Sequence, residues 1–303
     1  MENMVRRQGF LVEKDLPEVP PHPTESRELL YNRTIITLAK GALKAQDLRV
    51  HVFGAENIPA EGGALLAINH TGYYDFILGA VPGHVRGRRL VRFMAKKEIF
   101  DTPVVGALMK GMGHLSVDRA AGAGSIEVAT EHLRAGELVG IFPEATVSRA
   151  FEIKDLKTGA VRIAENSGAP LLPLIIWGGQ RVITKDIDSD LGRPHIPVFI
   201  RVGEAVDPSG DPNTATERLS RTMKTLLDEV RAHYEEEFGP FAGGELWRPE
   251  SLGGGAPSLE RAKLLEIAEK ERRRAKKEAR RAAGKRGPLA RIRGLLGRVR
   301  GKR

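Results

Sequence analysis

The stretch "ALLAINHTGYYDF" (64–76) joins a short apolar run to a polar turn that carries a histidine and an aspartate five positions apart. The run has the length of a buried strand, so His70 and Asp75 would lie just past its carboxyl end. Histidine is a good general base because its unperturbed pKa is about 6.5, and a carboxylate can fix its tautomer. Taken alone, the spacing also fits a histidine that a neighbouring turn satisfies.

Further apolar segments alternate with helical stretches along the chain. This alternation predicts an α/β fold with a largely parallel central sheet flanked by helices. The candidate strands are 48–54, 63–69, 92–97, 113–119, 138–144, 170–178 and 198–206. The candidate helices are an early one that begins near Thr24, followed by 76–81, 103–111, 124–135, 157–167 and 213–237.

Composition excludes several kinds of chemistry. The 303 residues include no cysteine, so a disulfide, a Cys-based zinc site and a thiol nucleophile are all ruled out. No segment approaches the roughly 18 apolar residues of a membrane span, and the N-terminus lacks the apolar stretch of a secretory signal. We therefore expect a protein of the cytoplasm.

The positive charge is concentrated at the C-terminus. Residues 261–303 hold 18 Lys or Arg and 4 Glu, a net charge of +14, so the other residues carry −5 of the total of +9. We predict an extended Pro-rich arm over 1–24, a folded domain over 25–240 and a Gly/Pro linker over 241–257. A basic tail follows over 258–303, and its residues 288–303 place apolar side chains at helical spacing between arginines.

Two later strand ends also carry polar residues. "SVDR" (116–119) ends at Arg119, and an arginine at such a place can bind a phosphate with two hydrogen bonds or form an ordinary surface ion pair. "IFPEATVSRAF" (141–151) leaves its strand at a proline, and its polar side chains could contact an anion or simply begin a loop.

In this order and spacing, NH-x-x-x-x-D, then Arg119, then F-P-E-x-T, then "PLLPL" resembles the four motif blocks of the glycerolipid acyltransferases, the PlsC-type family of 1-acylglycerol-3-phosphate acyltransferases. The resemblance covers about residues 45–210. It implies that His70 deprotonates an acceptor hydroxyl, which attacks an acyl thioester, and that Asp75 orients His70. It further implies that the remaining motif residues bind the acceptor and its phosphate: Arg119, Glu144 and Thr146, with Lys96 as an added positive contact.

The third block departs from the family pattern. Ala145 stands where the family usually has glycine, and Val147 where it usually has arginine. The loss of that guanidinium puts the acceptor in question more than the reaction, and Arg149 is a candidate replacement. Tyr73 and Tyr74 add bulk near the proposed base.

Other site types are not supported. The sequence has no H-E-x-x-H, no Asp-rich metal loop, no P-loop and no G-x-S-x-G elbow, so we expect no metal, no cofactor and no serine acyl-enzyme. The expected donor is acyl-CoA or acyl-carrier protein, and the expected acceptor is a lysophospholipid, first of all 1-acylglycerol 3-phosphate. Glycerol 3-phosphate or another lysolipid or glycolipid stays open as acceptor.

The expected location is peripheral, on the inner face of the cell membrane, with the basic tail on an anionic surface and the helix at 26–44 as a second contact. Nucleic-acid binding by the tail is disfavoured because the tail lacks aromatic residues and the body is acidic. A non-catalytic module that binds membrane or nucleic acid is the alternative from another class.

Overall fold

Apolar segments of the chain pair into one mixed sheet. Within the residues that the computed structural model describes, 3–118 and 122–285, this sheet has nine strands in the order β1-β2-β3-β9-β8-β4-β7-β5-β6. The β1/β2 and β8/β9 pairs are antiparallel and the other neighbours are parallel, which confirms the predicted α/β class. The strands are β1 (Met4–Arg7), β2 (Phe10–Glu13), β3 (Arg49–Phe53), β4 (Ala64–Ile68), β5 (Val91–Lys96), β6 (Leu115–Val117), β7 (Leu138–Ile141), β8 (Leu171–Trp177) and β9 (Pro197–Val202).

Helices cover both faces of this sheet. The first predicted helix begins as a π-helical segment, Leu29–Ile35, in which the N–H of Arg33 bonds to the carbonyl of Glu28 five positions back. The α-helices of the described residues are α1 (Ile36–Ala45), α2 (Asp75–Val85), α3 (Lys97–Phe100), α4 (Pro103–Gly111), α5 (Gly122–Arg134), α6 (Gly159–Ser167), α7 (Pro212–Phe238) and α8 (Leu259–Lys285).

Strand β4 is apolar along its whole length because it is buried on both faces. Leu65 and Ala67 belong to the core that α5, α6 and α7 cover. Ala64, Leu66 and Ile68 belong to the opposite core, which α1 and α2 cover. All five side chains are 0% exposed. Alternate side chains of a strand point to opposite faces, so a central strand reads as a continuous apolar run.

The connections that follow β4 and β7 run to opposite faces of the sheet. These two strands are parallel neighbours, but β4 leads into α2 on one face of the sheet, whereas β7 leads into α6 on the other. In open α/β sheets such a point leaves a crevice outside the carboxyl ends of the two strands, and ligands bind there. The motif "NHTGYYD" follows β4 and the motif "FPEAT" follows β7.

The prediction of an extended arm over 1–24 is wrong for its first part. β1 and β2 form an antiparallel hairpin, and β2 pairs in parallel with β3. Gln8 and Gly9, at the hairpin turn, both have positive φ (51° and 95°), as a tight hairpin needs. Phe10 and Val12 are buried, so the hairpin extends the core. Four-residue strands carry too short an alternation to be recognised from sequence.

The predicted domain end near 240 and the linker over 241–257 are also wrong. The first compact unit continues to Ala256, and the second begins at Pro257. Trp247 is buried, its ring centroid lies 5.0 Å from that of Phe241, and the guanidinium of Arg181 lies 4.5 Å from the Trp247 centroid. Aromatic and cation–π contacts contribute about 0.5–1.5 kcal/mol each, so two aromatic residues among glycines are enough to anchor the segment.

The second unit contains α8, which exposes Leu264, Leu265 and Ile267 among many charged residues. The amphipathic pattern predicted at 288–303 lies outside the described residues and stays a prediction.

Three histidines, His51 and His84 buried and His114 partly buried, should make the fold sensitive to acid. Burial lowers the pKa of His51, His84 and His114 from 6.5 to about 4 in each case. Between these values the unfolded chain binds protons that the folded chain does not, so the free energy of unfolding should fall as the pH drops from 6.5 towards 4. At pH 5 each histidine should account for a loss on the order of 2 kcal/mol.

Urea unfolding between pH 7.5 and 5 would measure this loss. His51→Leu replaces a side chain that is 0% exposed and should flatten the pH dependence. An unchanged slope in that variant would show that His51 is not held in its neutral form.

Candidate active site

The turn after β4 brings His70 and Asp75 together. Asp75 is 0% exposed and begins α2. Its Oδ2 accepts hydrogen bonds from Nδ1 of His70 at 2.9 Å and from the main-chain N–H groups of Thr71 and Gly72 at 2.7 and 2.8 Å. Because a carboxylate oxygen only accepts, Nδ1 carries the proton, and Nε2 is left as the basic nitrogen.

Aromatic rings hold the imidazole of His70. Phe142, at the exit of β7, stacks on it with centroids 4.3 Å apart, and Phe76, in the first turn of α2, meets its edge at 6.2 Å. The His70 side chain is 12% exposed. The ring is therefore fixed on two sides and reachable on a small remaining surface.

Asn69 marks the point where the turn begins. Its side chain copies the strand pattern on β8: Nδ2 donates to the carbonyl of Ile176 at 3.0 Å, and Oδ1 accepts from the Ile176 N–H at 2.7 Å. The side-chain amide thus replaces the next backbone pair of the β4/β8 ladder and lets the main chain turn at His70.

Glu144 holds the main chain of His70 in place. Its Oε1 accepts from the His70 N–H at 2.9 Å and its Oε2 from the Lys154 N–H at 3.3 Å. The His70 carbonyl in turn accepts from the N–H of Ser148 at 2.7 Å. Burial raises the pKa of Glu144 to about 7, although these N–H donors and the charge of Lys154 oppose the rise. The sequence placed Glu144 among the acceptor contacts; its carboxylate faces the backbone of the base.

The loop after Glu144 passes through a left-handed residue. Ala145 has a φ of 64°, a conformation that costs an L-residue about 1–2 kcal/mol and that glycine adopts freely. This explains physically why glycine is usual at this position in the family that the sequence resembles, and it shows that alanine is accommodated here in the same turn.

Thr146 and Arg149 have different surroundings within this loop. Thr146 is partly buried, and its hydroxyl accepts a hydrogen bond from Nζ of Lys154 at 2.6 Å. Arg149 is 6% exposed and its guanidinium forms an ion pair with Asp186, which is 61% exposed. Lys154 was missed by sequence reasoning, because it lies eight residues beyond the end of the F-P-E-x-T motif and only the fold returns it to Thr146.

The other predicted cations lie on β5 and after β6. Strand register places Lys96, the last residue of β5, at the level of Pro143 and Asn69 along the sheet, two strands away from β4. Lys96 therefore shares the active edge of the sheet. Arg119 lies outside the described residues, and its role stays a prediction.

An apolar cavity of about 280 Å³ is lined by Phe76, whose ring meets the edge of His70. It runs along one face of α2, from Phe76 to His84, roughly 12 Å at the helix rise of 1.5 Å per residue. The walls are mostly apolar and come from α1, α2, α4 and β5, among them Ile36, Ala80, Phe93 and Met109. Sequence reasoning did not find this cavity, since its lining is read as ordinary core from sequence.

Comparison with known proteins agrees with this geometry. The family model described as Acyltransferase matches residues 49–177, a range that holds His70, Asp75 and Glu144. This match bears out the resemblance drawn from the four motif blocks.

Two similar proteins are named as 1-acyl-sn-glycerol-3-phosphate acyltransferases. The chain is 38% identical over 133 residues to a 1-acyl-sn-glycerol-3-phosphate acyltransferase of Bacillus subtilis. This alignment covers 43% of this chain and 63% of the relative. It is 28% identical to the protein of that name in Borreliella burgdorferi, over 53% of this chain and 62% of the relative. The chain thus spans less than two thirds of the length of either of these relatives.

A solved family structure has the same fold. The crystal structure of the 1-acyl-sn-glycerophosphate acyltransferase PlsC from Thermotoga maritima superposes with a TM-score of 0.53 at 26% identity, over 66% of this chain and 79% of that one.

Glu144→Gln tests the role of Glu144 as a positioning residue. The amide retains one acceptor oxygen and points an NH₂ group at a main-chain N–H, so the backbone of His70 should shift. Misplacement of a reacting group by an ångström costs about 100-fold in rate. We expect acyl-transfer turnover to fall roughly 10- to 100-fold, with little change in KM.

The matched control is Glu165→Gln, an exposed carboxylate on α6, which should keep wild-type turnover. Equal turnover in the two folded variants would contradict the assignment.

Proposed function

We propose that this protein transfers a fatty acyl group from an acyl thioester, acyl-CoA or acyl-carrier protein, to a free hydroxyl of a lysophospholipid. The first expected acceptor is 1-acylglycerol 3-phosphate, which would yield phosphatidic acid. The observation that carries the proposal is the His70–Asp75 pair at the crevice between β4 and β7, with the apolar cavity lined by Phe76, whose ring meets the edge of His70.

The pair suits direct transfer. As the acceptor oxygen attacks the thioester carbonyl, its proton passes to Nε2 of His70, and the negative charge of Asp75 stabilises the imidazolium. The carbon–sulfur bond then breaks, and the departing thiolate takes the proton back from His70. The products are an ester and a thiol, and His70 returns to its starting state without an acyl-enzyme.

The cavity fits a fatty acyl chain, either the acyl group that is transferred from the donor or the chain that the acceptor already carries. Phe76, whose ring meets the edge of His70, is part of its lining, and its walls are almost entirely apolar. An alkyl chain buried there gains about 0.8 kcal/mol for each CH₂ group removed from water. Glycerol 3-phosphate carries no acyl chain and would use this cavity only through the acyl group of the donor, so it is the second candidate acceptor.

A non-catalytic binding module is less well supported. A lipid-binding role would use the cavity but would need neither a proton on Nδ1 nor a buried carboxylate with three N–H donors to one oxygen.

His70→Ala tests the reaction. Loss of a general base usually lowers turnover by about 10² to 10⁴-fold, and we expect this loss with folding intact. Labelled acyl-CoA would be incubated with 1-acylglycerol 3-phosphate, other lysolipids and glycerol 3-phosphate, and the acylated product identified. Equal turnover of the wild type and the variant would refute His70 as the base.

Membrane association is part of the proposal. No helix in residues 3–118 and 122–285 has both the length and the apolar character to cross a bilayer. The cavity walls from α1 and α4 nevertheless expose apolar side chains on their outer surface. We call this the outer patch: Leu29, Leu38, Val104 and Val105, which are 69%, 65%, 81% and 49% exposed.

The outer patch fits a lipid surface. Leu30 joins its two halves, since a methyl group on Gly111 of α4 would lie only 2.7 Å from Leu30 Cδ2. Arg33 and Lys110 are exposed on the same two segments and can meet anionic headgroups. We propose that the patch lies on the bilayer, so that a lipid acceptor can enter the cavity between α1 and α4.

Flotation with vesicles that contain phosphatidylglycerol tests the patch. Each exposed side chain of this size contributes about 1.5–3 kcal/mol when buried, so replacing Leu38 and Val104 by serine should weaken vesicle binding at least tenfold. The control is Leu191→Ser, which replaces an apolar side chain that is 52% exposed elsewhere.

A chain without residues 258–303 separates the tail from the patch. If the serine double variant floats like the control, whereas the shortened chain does not float, the basic tail rather than the outer patch is the membrane contact.

A further inference from the structure

The phosphate of the proposed acceptor needs a cation close to His70. Phosphate is bound best by charge-assisted hydrogen bonds, and a lysine ammonium offers three donors. The loop 143–154 wraps the main chain of His70, because Glu144 and Ser148 both bond to it. Cations on this loop are therefore the first candidates.

Lys154 is fixed relative to His70 by a shared partner. One carboxylate, that of Glu144, accepts the N–H of His70 with one oxygen and the N–H of Lys154 with the other. The two main chains thus lie on either side of a single buried group. A movement of Lys154 away from His70 would break a bond to a carboxylate that is 5% exposed.

The side chain of Lys154 stays within this loop. Nζ donates to the hydroxyl of Thr146 at 2.6 Å, and both residues are partly buried. The ammonium and the hydroxyl together can offer adjacent donors to one anionic group.

Lys154 and Arg149 are the cations of this loop. The positive charge of Lys154 opposes the rise to about 7 that burial causes in the pKa of Glu144. Arg149 has a different setting, since its guanidinium is buried and ion-paired with Asp186, and it ties the loop to the segment after β8.

We propose that Lys154, with the hydroxyl of Thr146, binds the phosphate monoester of the acceptor. This inference rests on the proposed acyl transfer. Arg149 was the candidate for this contact from sequence, and we assign it instead the role of holding the loop in place.

The test compares two acceptors that differ only in the phosphate, 1-acylglycerol 3-phosphate and 1-acylglycerol. A hydrogen bond to a charged group is worth about 1.5–3 kcal/mol, or roughly a 10- to 100-fold change in affinity. Lys154→Met should raise KM for the phosphate-bearing acceptor by that factor, with kcat nearly unchanged and the phosphate-free acceptor unaffected. Lys154→Arg should restore part of the affinity.

The matched control is Lys157→Met, which removes an exposed lysine three residues along the same loop. An unchanged KM in Lys154→Met, equal losses with both acceptors, or a larger rise in Arg149→Met than in Lys154→Met would overturn the inference.

Failure of the proposed function is a separate result. If the wild type acylates no acceptor, calorimetric binding of glycerol 3-phosphate still tests Lys154: weaker binding to Lys154→Met than to Lys157→Met supports the site, and equal binding refutes it.

Discussion

A single oxygen of Asp75 accepts three N–H groups, and the arrangement of the site depends on this cluster. Two of the donors, Thr71 and Gly72, are main-chain groups of the turn after β4, and the third is the ring of His70. The same carboxylate therefore shapes the turn, starts α2 and sets the tautomer of His70. Gly72 has little room for a side chain, since a methyl group there would lie 2.8 Å from the carbonyl oxygen of Ile183.

Two buried carboxylates divide the work around His70. Asp75 acts on the ring, whereas Glu144 acts on the main chain that carries the ring. Burying a carboxylate is costly unless several donors meet it. Asp75 has three donors to one oxygen, but Glu144 has one main-chain donor for each oxygen, and burial raises its pKa to about 7. Both carboxylates follow the ends of strands, Asp75 after β4 and Glu144 after β7. Their positions around His70 therefore depend on the pairing of these two strands.

Much of this arrangement could be predicted from sequence, because strand ends in a parallel sheet meet at one edge. The apolar run of β4 and the order of the motifs predicted the α/β fold and the His70–Asp75 pair. Short strands and sparse anchors could not be predicted: β1 and β2 have four residues each, and Trp247 stands among glycines. The contact between Lys154 and Thr146 could not be predicted either, since nothing in the local pattern returns a loop residue to its own motif.

The position of His70 suits a substrate that is apolar at one end and charged at the other. Phe76 of the cavity wall meets the edge of the His70 ring, and Glu144 and Ser148 of the polar loop after β7 bond to its main chain. The proposed acceptor is an amphiphile, with an apolar chain for the cavity and a charged headgroup for the loop. The outer patch agrees with this order of apolar and charged surfaces. A lipid that leaves the bilayer with its acyl chain in front would meet the apolar cavity walls first, and its headgroup would meet the cations afterwards. A fully polar acceptor would leave the cavity to the acyl group of the donor alone. The cavity and the exposed apolar surface thus support the proposed acceptor, a lysolipid with a phosphate.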